Sequence, residues 1–205
     1  DVDDEDEDGD TTDTRPWIIG DLIHSRPLAI NYGGSDENDQ DVRIVFGTNA
    51  GFLHMIDAAD GSEDWAFFAK ETAPIVKVLY ENSITSEHPY GIDGSIGVYL
   101  LDANDDGRIL GRDDDKAYIF FGLRRGGTSY YALDVTDPDN PSMLWRRDEG
   151  FLDELGQTWA EPEVTHIPGY DGPVVIVGAG YDTNKDFHQV GTPDSGFGAD
   201  TIRAS

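Results

Sequence analysis

Short apolar runs, separated by segments rich in Gly, Asn and Asp, follow one another along the chain from Trp17 onward. The runs RIVFG and FLHMID are joined by a turn that contains Asn49 and Gly51, which is typical of a β-hairpin. No segment keeps apolar residues at the helical spacing of i, i+3, i+4 and i+7 for long enough to form a core helix. The pattern therefore predicts an all-β protein of short antiparallel strands.

One unit of this pattern recurs along the chain. A strand that ends in Gly recurs at 44–47, 119–122 and 176–178, and the segment that leads into each unit recurs at 24–27, 93–96 and 159–162. Four-stranded units that recur at somewhat over ~40 residues are typical of β-propeller blades. About three blades are expected, near residues 18–70, 90–147 and 157–182, in a partial propeller domain at 17–205. Because about three blades cannot close a ring, a larger parent propeller is expected.

The first two units close in the same way. An Asp at the end of a strand, Asp57 or Asp134, opens a turn by capping its backbone, and Trp65 or Trp145 follows. This resembles the repeat A-x-D-x-x-T-G-x-x-x-W of quinoprotein-type propellers, in which the Trp packs between adjacent sheets. The match is partial, because Asp60 stands at the Thr position and the second unit has three extra residues before its Trp.

The stretch LDANDDGRILGRDDD at 101–115 has the spacing of a twelve-residue calcium loop. Calcium takes about six to eight oxygen ligands, which alternate residues of such a loop supply. Gly107 falls where the chain must turn sharply, and the apolar Ile109 is expected to pin the loop to its neighbours. The predicted ligands, at loop positions 1, 3, 5, 7 and 12, are Asp102, Asn104, Asp106, the carbonyl oxygen of Arg108, and Asp113.

The alternative interpretation of this stretch is a solvated acidic turn, since acidic residues occur throughout the chain. The glycine and the apolar residue at their matching positions favour the calcium loop. The run KAYIFFG that follows at 116–122 is typical of a strand and not of the helix that follows such loops in dockerin modules. We therefore expect a calcium loop at 102–113, inserted between the first two strands of the middle blade.

The charge of the chain excludes some partners. Its 205 residues include 42 acidic and 14 basic side chains, for a net charge of −28. Such a surface repels nucleic acids and anionic membranes and favours divalent cations. No apolar run approaches the ~18 residues of a membrane span, and without Cys there is neither a disulfide framework nor a thiolate catalyst. We expect no nucleic-acid partner and no membrane-spanning segment.

Two further acidic segments carry weaker metal signals. Residues 1–16 are expected to form a disordered acidic linker, because like charges at this density repel one another. The alternation of Asp4, Asp6, Asp8 and Asp10 within it makes a second calcium site conceivable. The segment YDTNKD repeats the first three ligand positions at Asp182, Asn184 and Asp186, but Phe187 replaces the expected glycine, which favours a turn over a second metal site.

Several longer motifs resemble the propeller domain of the PilC/PilY family, whose members are tip-associated adhesins and assembly factors of type IV pili. These motifs are GDLIHSRP, VFGTNAGFLHMIDAADG, GGTSYYALDVTDPDNP, LGQTWAEP and VGAGYD, and the resemblance runs from about Trp17 to about Asp186. It implies an exported, surface-exposed, calcium-binding propeller at the outer membrane or the pilus. The implied roles are pilus biogenesis, twitching motility and adhesion, and the implied partners are pilus subunits or a host or abiotic surface.

The resemblance also implies an aspartate- and asparagine-rich calcium loop in this domain. Asp102, Asn104, Asp106, the carbonyl oxygen of Arg108, and Asp113 fit such a loop. Some family members close the loop at position 9, where Leu110 offers no side-chain oxygen, so the closing ligand is the least defined.

A second class of function shares these features, since quinone-dependent dehydrogenases also have the blade repeat and use calcium. Enzymes of that class commonly stack the quinone against a vicinal Cys pair, which a chain without Cys cannot supply. A calcium loop built from consecutive residues also suits a structural site better than one shared with a cofactor. The sequence favours a non-enzymatic adhesion and assembly propeller over this alternative.

Removal of residues 1–16 tests whether the acidic segment is the main cation site. We expect the shortened chain to keep its tightest calcium site in a calorimetric titration and to lose only weak, salt-sensitive binding. Loss of the tightest site on truncation would assign it to the acidic segment and contradict our ranking.

Overall fold

The computed structural model describes residues 19–36, 38–81, 88–170 and 172–183, and almost all of its regular structure is β. The first sheet contains β1 (Leu28–Gly34), β2 (Gln40–Gly47), β3 (Phe52–Asp57) and β4 (Glu63–Phe68). The second contains β5 (Ile96–Leu101), β6 (Lys116–Gly122), β7 (Tyr130–Asp134) and β8 (Ser142–Arg147). A short pair is formed by β9 (Glu163–Thr165) and β10 (Val174–Ile176).

Both large sheets are antiparallel meanders in which each strand pairs with the next, in the orders β1-β2-β3-β4 and β5-β6-β7-β8. Each sheet has the same register irregularity between its third and fourth strands, after Met55 in the first sheet and after Ala132 in the second. Trp65 lies opposite Met55, and Trp145 lies opposite Ala132, so the two Trp residues are equivalent. The predicted fold class, with four-stranded antiparallel blades, is confirmed.

The predicted third blade is represented by two strands within the described residues. β9 and β10 pair in antiparallel fashion, and an isolated bridge joins Gln157 to Tyr181. β10 occupies the place of the strand expected at 176–178, although it ends at Ile176.

The glycine that ends the recurring strand has a steric reason. A Cβ atom on Gly47 would lie 2.3 Å from the carbonyl oxygen of Ile92, and one on Gly122 would lie 2.6 Å from that of Thr158. Ile92 and Thr158 stand at equivalent places in the segments that enter the next units. The repeated glycine therefore lets the next unit cross close to the end of this strand.

The core lies between the two large sheets and is largely aromatic at its centre. Phe121 and Tyr131 are stacked with ring centroids 5.3 Å apart, and Phe67 of the first sheet meets both of them edge-on. Such edge-to-face pairs add to the free energy gained from burial. Around them lie fully buried aliphatic side chains from both sheets, including Ile30, Val45, Leu53, Met55, Ile119 and Leu133.

Trp65 ties the outer strand of the first sheet to the second. Its indole Nε1 donates a hydrogen bond of 2.8 Å to the carbonyl oxygen of Pro138, in the turn between β7 and β8. The prediction that this Trp packs between adjacent sheets is confirmed.

A short helix, α1 (Ala73–Glu81), follows the first sheet and was not predicted, although it buries no side chain and so is not a core helix. Its apolar residues Val76, Val78, Leu79 and Tyr80 are exposed. Over the described residues, no helix has the length and apolar character needed to cross a bilayer.

Glu71 lies in a 3₁₀ turn (Lys70–Thr72) between the first sheet and α1, and its side chain contacts the second sheet. Its carboxylate accepts hydrogen bonds from the hydroxyls of Ser129 and Tyr131 and from Nε of Arg146. Burial alone would raise the pKa of Glu71, but the hydrogen bonds from Ser129, Tyr131 and Arg146 outweigh it and hold the pKa below its ordinary value of 4.5. Burial, together with the hydrogen bond to Glu71, raises the pKa of Tyr131.

Replacement of Glu71 tests this connection through its pH dependence. We expect Glu71→Gln to lower the free energy of unfolding at neutral pH by about 1–3 kcal/mol, because the charged acceptor of Arg146 is lost. Since the folded-state pKa lies below the unfolded one, the carboxylate stabilises the fold above pH 4.5 and loses this effect as the pH falls further. The difference between wild type and variant in denaturant titrations should therefore shrink in acid.

Glu81→Gln provides the control, because Glu81 forms an exposed ion pair with Lys77 on α1, at 3.1 Å. We expect it to change stability by no more than ~0.5 kcal/mol at any pH. A Glu71→Gln effect equally small, or one that grows in acid, would contradict the proposed connection.

Candidate calcium site

The predicted calcium loop connects β5 to β6, as expected for an insertion between two strands. The backbone turns through left-handed conformations at Asp105 (φ 58°) and Gly107 (φ 78°). Gly107 thus stands at a position that demands a positive φ, which glycine adopts without strain.

Hydrogen bonds bring the first three predicted side-chain ligands together. The Asp102 carboxylate accepts the backbone N–H groups of Asp106 and Gly107, at 3.1 and 2.7 Å. The Asn104 side-chain oxygen also accepts the N–H of Asp106, at 3.0 Å, and its amide nitrogen donates to the Asp106 carboxylate at 3.1 Å. The alternating side chains at 102, 104 and 106 therefore turn to the same side of the loop.

The fourth and fifth predicted positions lie in the second half of the loop. The N–H of Arg108 donates to the Asp106 carboxylate at 2.9 Å, which fixes the peptide next to the predicted carbonyl ligand. Asp113 ends a 3₁₀ turn (Gly111–Asp113), and its carboxylate lies 3.6 Å from Nε of Arg112. Over the described ranges, no three acidic or histidine side chains are grouped closely enough to share a metal ion. Asp113 is therefore not brought into one carboxylate group with Asp102 and Asp106.

The residue that closes the loop is Asp115, which sequence reasoning did not select. Its side chain is buried and accepts the N–H of Ala103 and the N–H of Leu110, each at 2.8 Å, so it joins the two ends of the loop. These backbone hydrogen bonds lower the pKa of Asp115. The run of three Asp at 113–115 was visible in the sequence, but the spacing alone does not show which of them turns inward.

Ile109 attaches the loop to the first sheet. Its side chain is buried in the common core, and its N–H donates to the carbonyl oxygen of Tyr32 in β1 at 2.9 Å. The hydroxyl of Tyr32 in turn donates to the carbonyl oxygen of Val135, the residue just after β7, at 2.6 Å. The prediction that Ile109 pins the loop to its neighbours is confirmed.

A cleft of about 730 Å³ lies beside the loop, between the edges of the two sheets. Its floor includes Arg43, whose guanidinium lies 2.8 Å from the carboxylates of Asp41 and Asp57 and 3.1 Å from that of Asp64. Burial would lower the pKa of Arg43, but these three carboxylates raise it. The first sheet thus neutralises part of its own negative charge next to the loop.

The other predicted cation sites fall mostly outside the described residues. This holds for the whole acidic segment at 1–16, and for Asn184 and Asp186 of the YDTNKD segment. Asp182 is described and is buried. The expected acidic linker, the expected turn and the alternative of a second metal site therefore stay untested.

Sequence comparison places the chain beside pilus proteins. It is 30% identical over 197 residues to a type IV pilus biogenesis factor PilY1 homolog of Xylella fastidiosa, which corresponds to 86% of this chain and 15% of the relative. It is 28% identical over 195 residues to the type IV pilus biogenesis factor PilY1 of Pseudomonas aeruginosa, covering 84% of this chain and 16% of the relative. The chain thus spans less than a fifth of the length of these curated relatives. No family model matches the sequence.

Among solved structures, the crystal structure of the Pseudomonas aeruginosa PilY1 C-terminal domain is similar to this chain. The two are 29% identical with a TM-score of 0.49, over 71% of this chain and 26% of that one.

Asp115→Asn tests the closure of the loop. We expect faster hydrogen exchange at the amides of Ala103 and Leu110, with or without calcium. An Asn side chain has one oxygen and one NH₂ group, so it can accept only one of these two N–H groups and places its NH₂ group against the other. The control is Asp114→Asn, which removes the same charge from an exposed residue whose left-handed φ of 65° suits Asn. Equal protection of both amides in wild type and Asp115→Asn would contradict the closing role.

Proposed function

The chain is homologous over most of its length to a segment of the PilY1 type IV pilus biogenesis factors, and we propose that it is the calcium-binding propeller segment of such a protein. The resemblance to the PilC/PilY family is thereby confirmed. The proposed roles are pilus assembly, twitching motility and adhesion, on an exported protein at the cell surface or the pilus. The named relatives are biogenesis factors and not enzymes, which supports a non-enzymatic role.

The observation that carries the calcium proposal is the orientation of three consecutive ligand positions. Asp102, Asn104 and Asp106 are oriented by hydrogen bonds to backbone N–H groups that follow them in the loop. Carboxylate, amide and carbonyl oxygens are the ligands that calcium prefers. The residues that would hold the ion are Asp102, Asn104, Asp106 and Arg108 through its carbonyl oxygen. Asp113, the predicted closing ligand, would join them only if the second half of the loop moved towards the first.

The electrostatics of the loop favour a cation. Six Asp residues lie between 102 and 115, within distances at which salt screens their repulsion only partly, since the Debye length is about 8–10 Å. Bound calcium would turn this repulsion into attraction, and a single loop of this kind binds at ~10⁻⁶–10⁻³ M. At a hundredfold excess over Kd, binding adds about 2.7 kcal/mol of stability. Ile109 and Tyr32 join the loop to both sheets. Calcium binding would therefore also stabilise the packing of the two sheets against each other.

Calorimetric titration with calcium tests the ligand set. We expect Asp106→Ala to abolish the site and leave the sheets folded, whereas Asp105→Asn should keep the wild-type affinity. Asp105 is the matched control because it is exposed, carries the same charge and has a left-handed φ of 58° that Asn tolerates. Equal calcium affinity of wild type and Asp106→Ala would overturn the calcium proposal.

Complementation in a bacterium that carries the full-length protein tests the pilus role. We expect deletion of the gene to reduce surface pili and twitching, and expect the wild type and Asp105→Asn to restore both. Asp106→Ala should be present in normal amounts but restore them poorly. Unchanged piliation after deletion would contradict the pilus role, whereas full rescue by Asp106→Ala would make the ion a structural element only.

A further inference from the structure

A basic and aromatic pocket lies away from the calcium loop, where the chain enters successive units. Its volume is about 540 Å³, and its walls come from the segments before β1 and β5, from the turn after β6, and from the segment before β9. His24, Asp93 and Trp159 hold equivalent positions in the three entering segments, so the repeat itself places them side by side.

The pocket combines basic and acidic side chains. Arg26 and Arg124 line it together with the carboxylates of Asp93 and Glu161, and Arg125 lies beside it. Three guanidinium groups thus stand against two carboxylates, on a chain whose 42 acidic side chains outnumber its 14 basic ones. This local excess of positive charge favours an anion that most of the surface repels.

Asp93 holds two side chains of the pocket in position. Its side chain is 0% exposed, and its carboxylate lies 2.8 Å from Nδ1 of His24 and 3.7 Å from Nη1 of Arg124. A buried carboxylate is stable only when it is paired. Asp93 therefore holds His24 and Arg124 in place, and all three residues line the pocket.

The guanidinium of Arg124 lies over an aromatic ring. Its guanidinium carbon lies 4.4 Å from the centroid of Trp159, and that of Arg125 lies 5.3 Å from the same ring. Stacking uses the face of a guanidinium and leaves its in-plane N–H donors for a planar anion. The backbone of Arg124 is also left-handed, with a φ of 53°, a strained conformation of the kind that concentrates at functional sites.

The carboxylate opposite Arg26 is easily displaced. Glu161 lies 3.9 Å from Arg26, and the two side chains are 53% and 81% exposed. Exposed pairs of this kind contribute little to stability, so a ligand can exchange with Glu161 at low cost.

We propose that this pocket binds an organic carboxylate, held by the guanidinium groups of Arg124 and Arg26, with the apolar part of the ligand against Trp159. The carboxylate is the C-terminus of a peptide, because a chain of net charge −28 repels a single terminal carboxylate less than the many carboxylates of an acidic polysaccharide. This binding activity goes beyond the proposed pilus role and is independent of calcium.

Titration followed by the Trp159 indole signal in NMR tests the proposal, with D-glucuronate and N-acetyl-glycylglycine as the two probes. We expect N-acetyl-glycylglycine to bind with a Kd of about 10⁻³ M, and its uncharged counterpart, N-acetyl-glycylglycinamide, to bind at least tenfold more weakly. Tighter binding of D-glucuronate than of N-acetyl-glycylglycine would overturn the assignment to a peptide. The calcium variant Asp106→Ala should bind equally well, which separates this site from the calcium loop.

Arg124→Gln should weaken binding at least tenfold. Arg124→Gly removes the same guanidinium but suits the left-handed φ, so the test stands even if the Gln variant unfolds. The matched control is Arg147→Gln, because Arg147 lies on β8 and stacks on the rings of Trp145 and Phe151. Absence of binding for both probes, unchanged binding in a folded Arg124 variant, or equal loss in the Arg147 variant would overturn the proposal.

Discussion

The face-to-face packing of the two four-stranded sheets is the contact on which the rest of this structure depends. Phe67 on one side and the stacked Phe121 and Tyr131 on the other fill its centre, and Trp65 and Glu71 fasten its edges by hydrogen bonds. Neither sheet could bury its apolar face alone, because a single meander has one layer. This requirement explains why the same strand order, the same irregularity and the same Trp recur in both units.

The proposed calcium loop matters because Ile109 attaches it to that contact. Asp115 closes the loop onto itself, and Ile109 carries its second half into the core beside Tyr32. In a chain of net charge −28, a group of Asp residues at this place would otherwise push the loop away from the sheets. The proposed ion would convert this repulsion into attraction and hold the loop against the sheets.

The segments that enter each unit combine a structural and a binding role. Their backbones cross next to Gly47 and Gly122, where only a missing side chain allows so close an approach. The same crossing aligns His24, Asp93 and Trp159 along one pocket, with Arg124 between the last two. The repeat that packs the sheets therefore also places equivalent positions in a row, and the side chains at these positions differ from unit to unit.

Patterns of neighbouring residues were enough to determine the all-β class, the four-strand unit and the equivalence of Trp65 and Trp145. They also placed the Asp-rich loop between β5 and β6, because local spacing fixes strand period and turn geometry. The inward turn of Asp115 among three consecutive Asp residues depends on which backbone N–H groups the folded loop presents. Likewise, Asp93 meets His24 and Arg124 across 69 and 31 residues, and only the packing of successive units brings them together. Contacts between distant segments leave no period in the sequence, so the tertiary structure alone decided them.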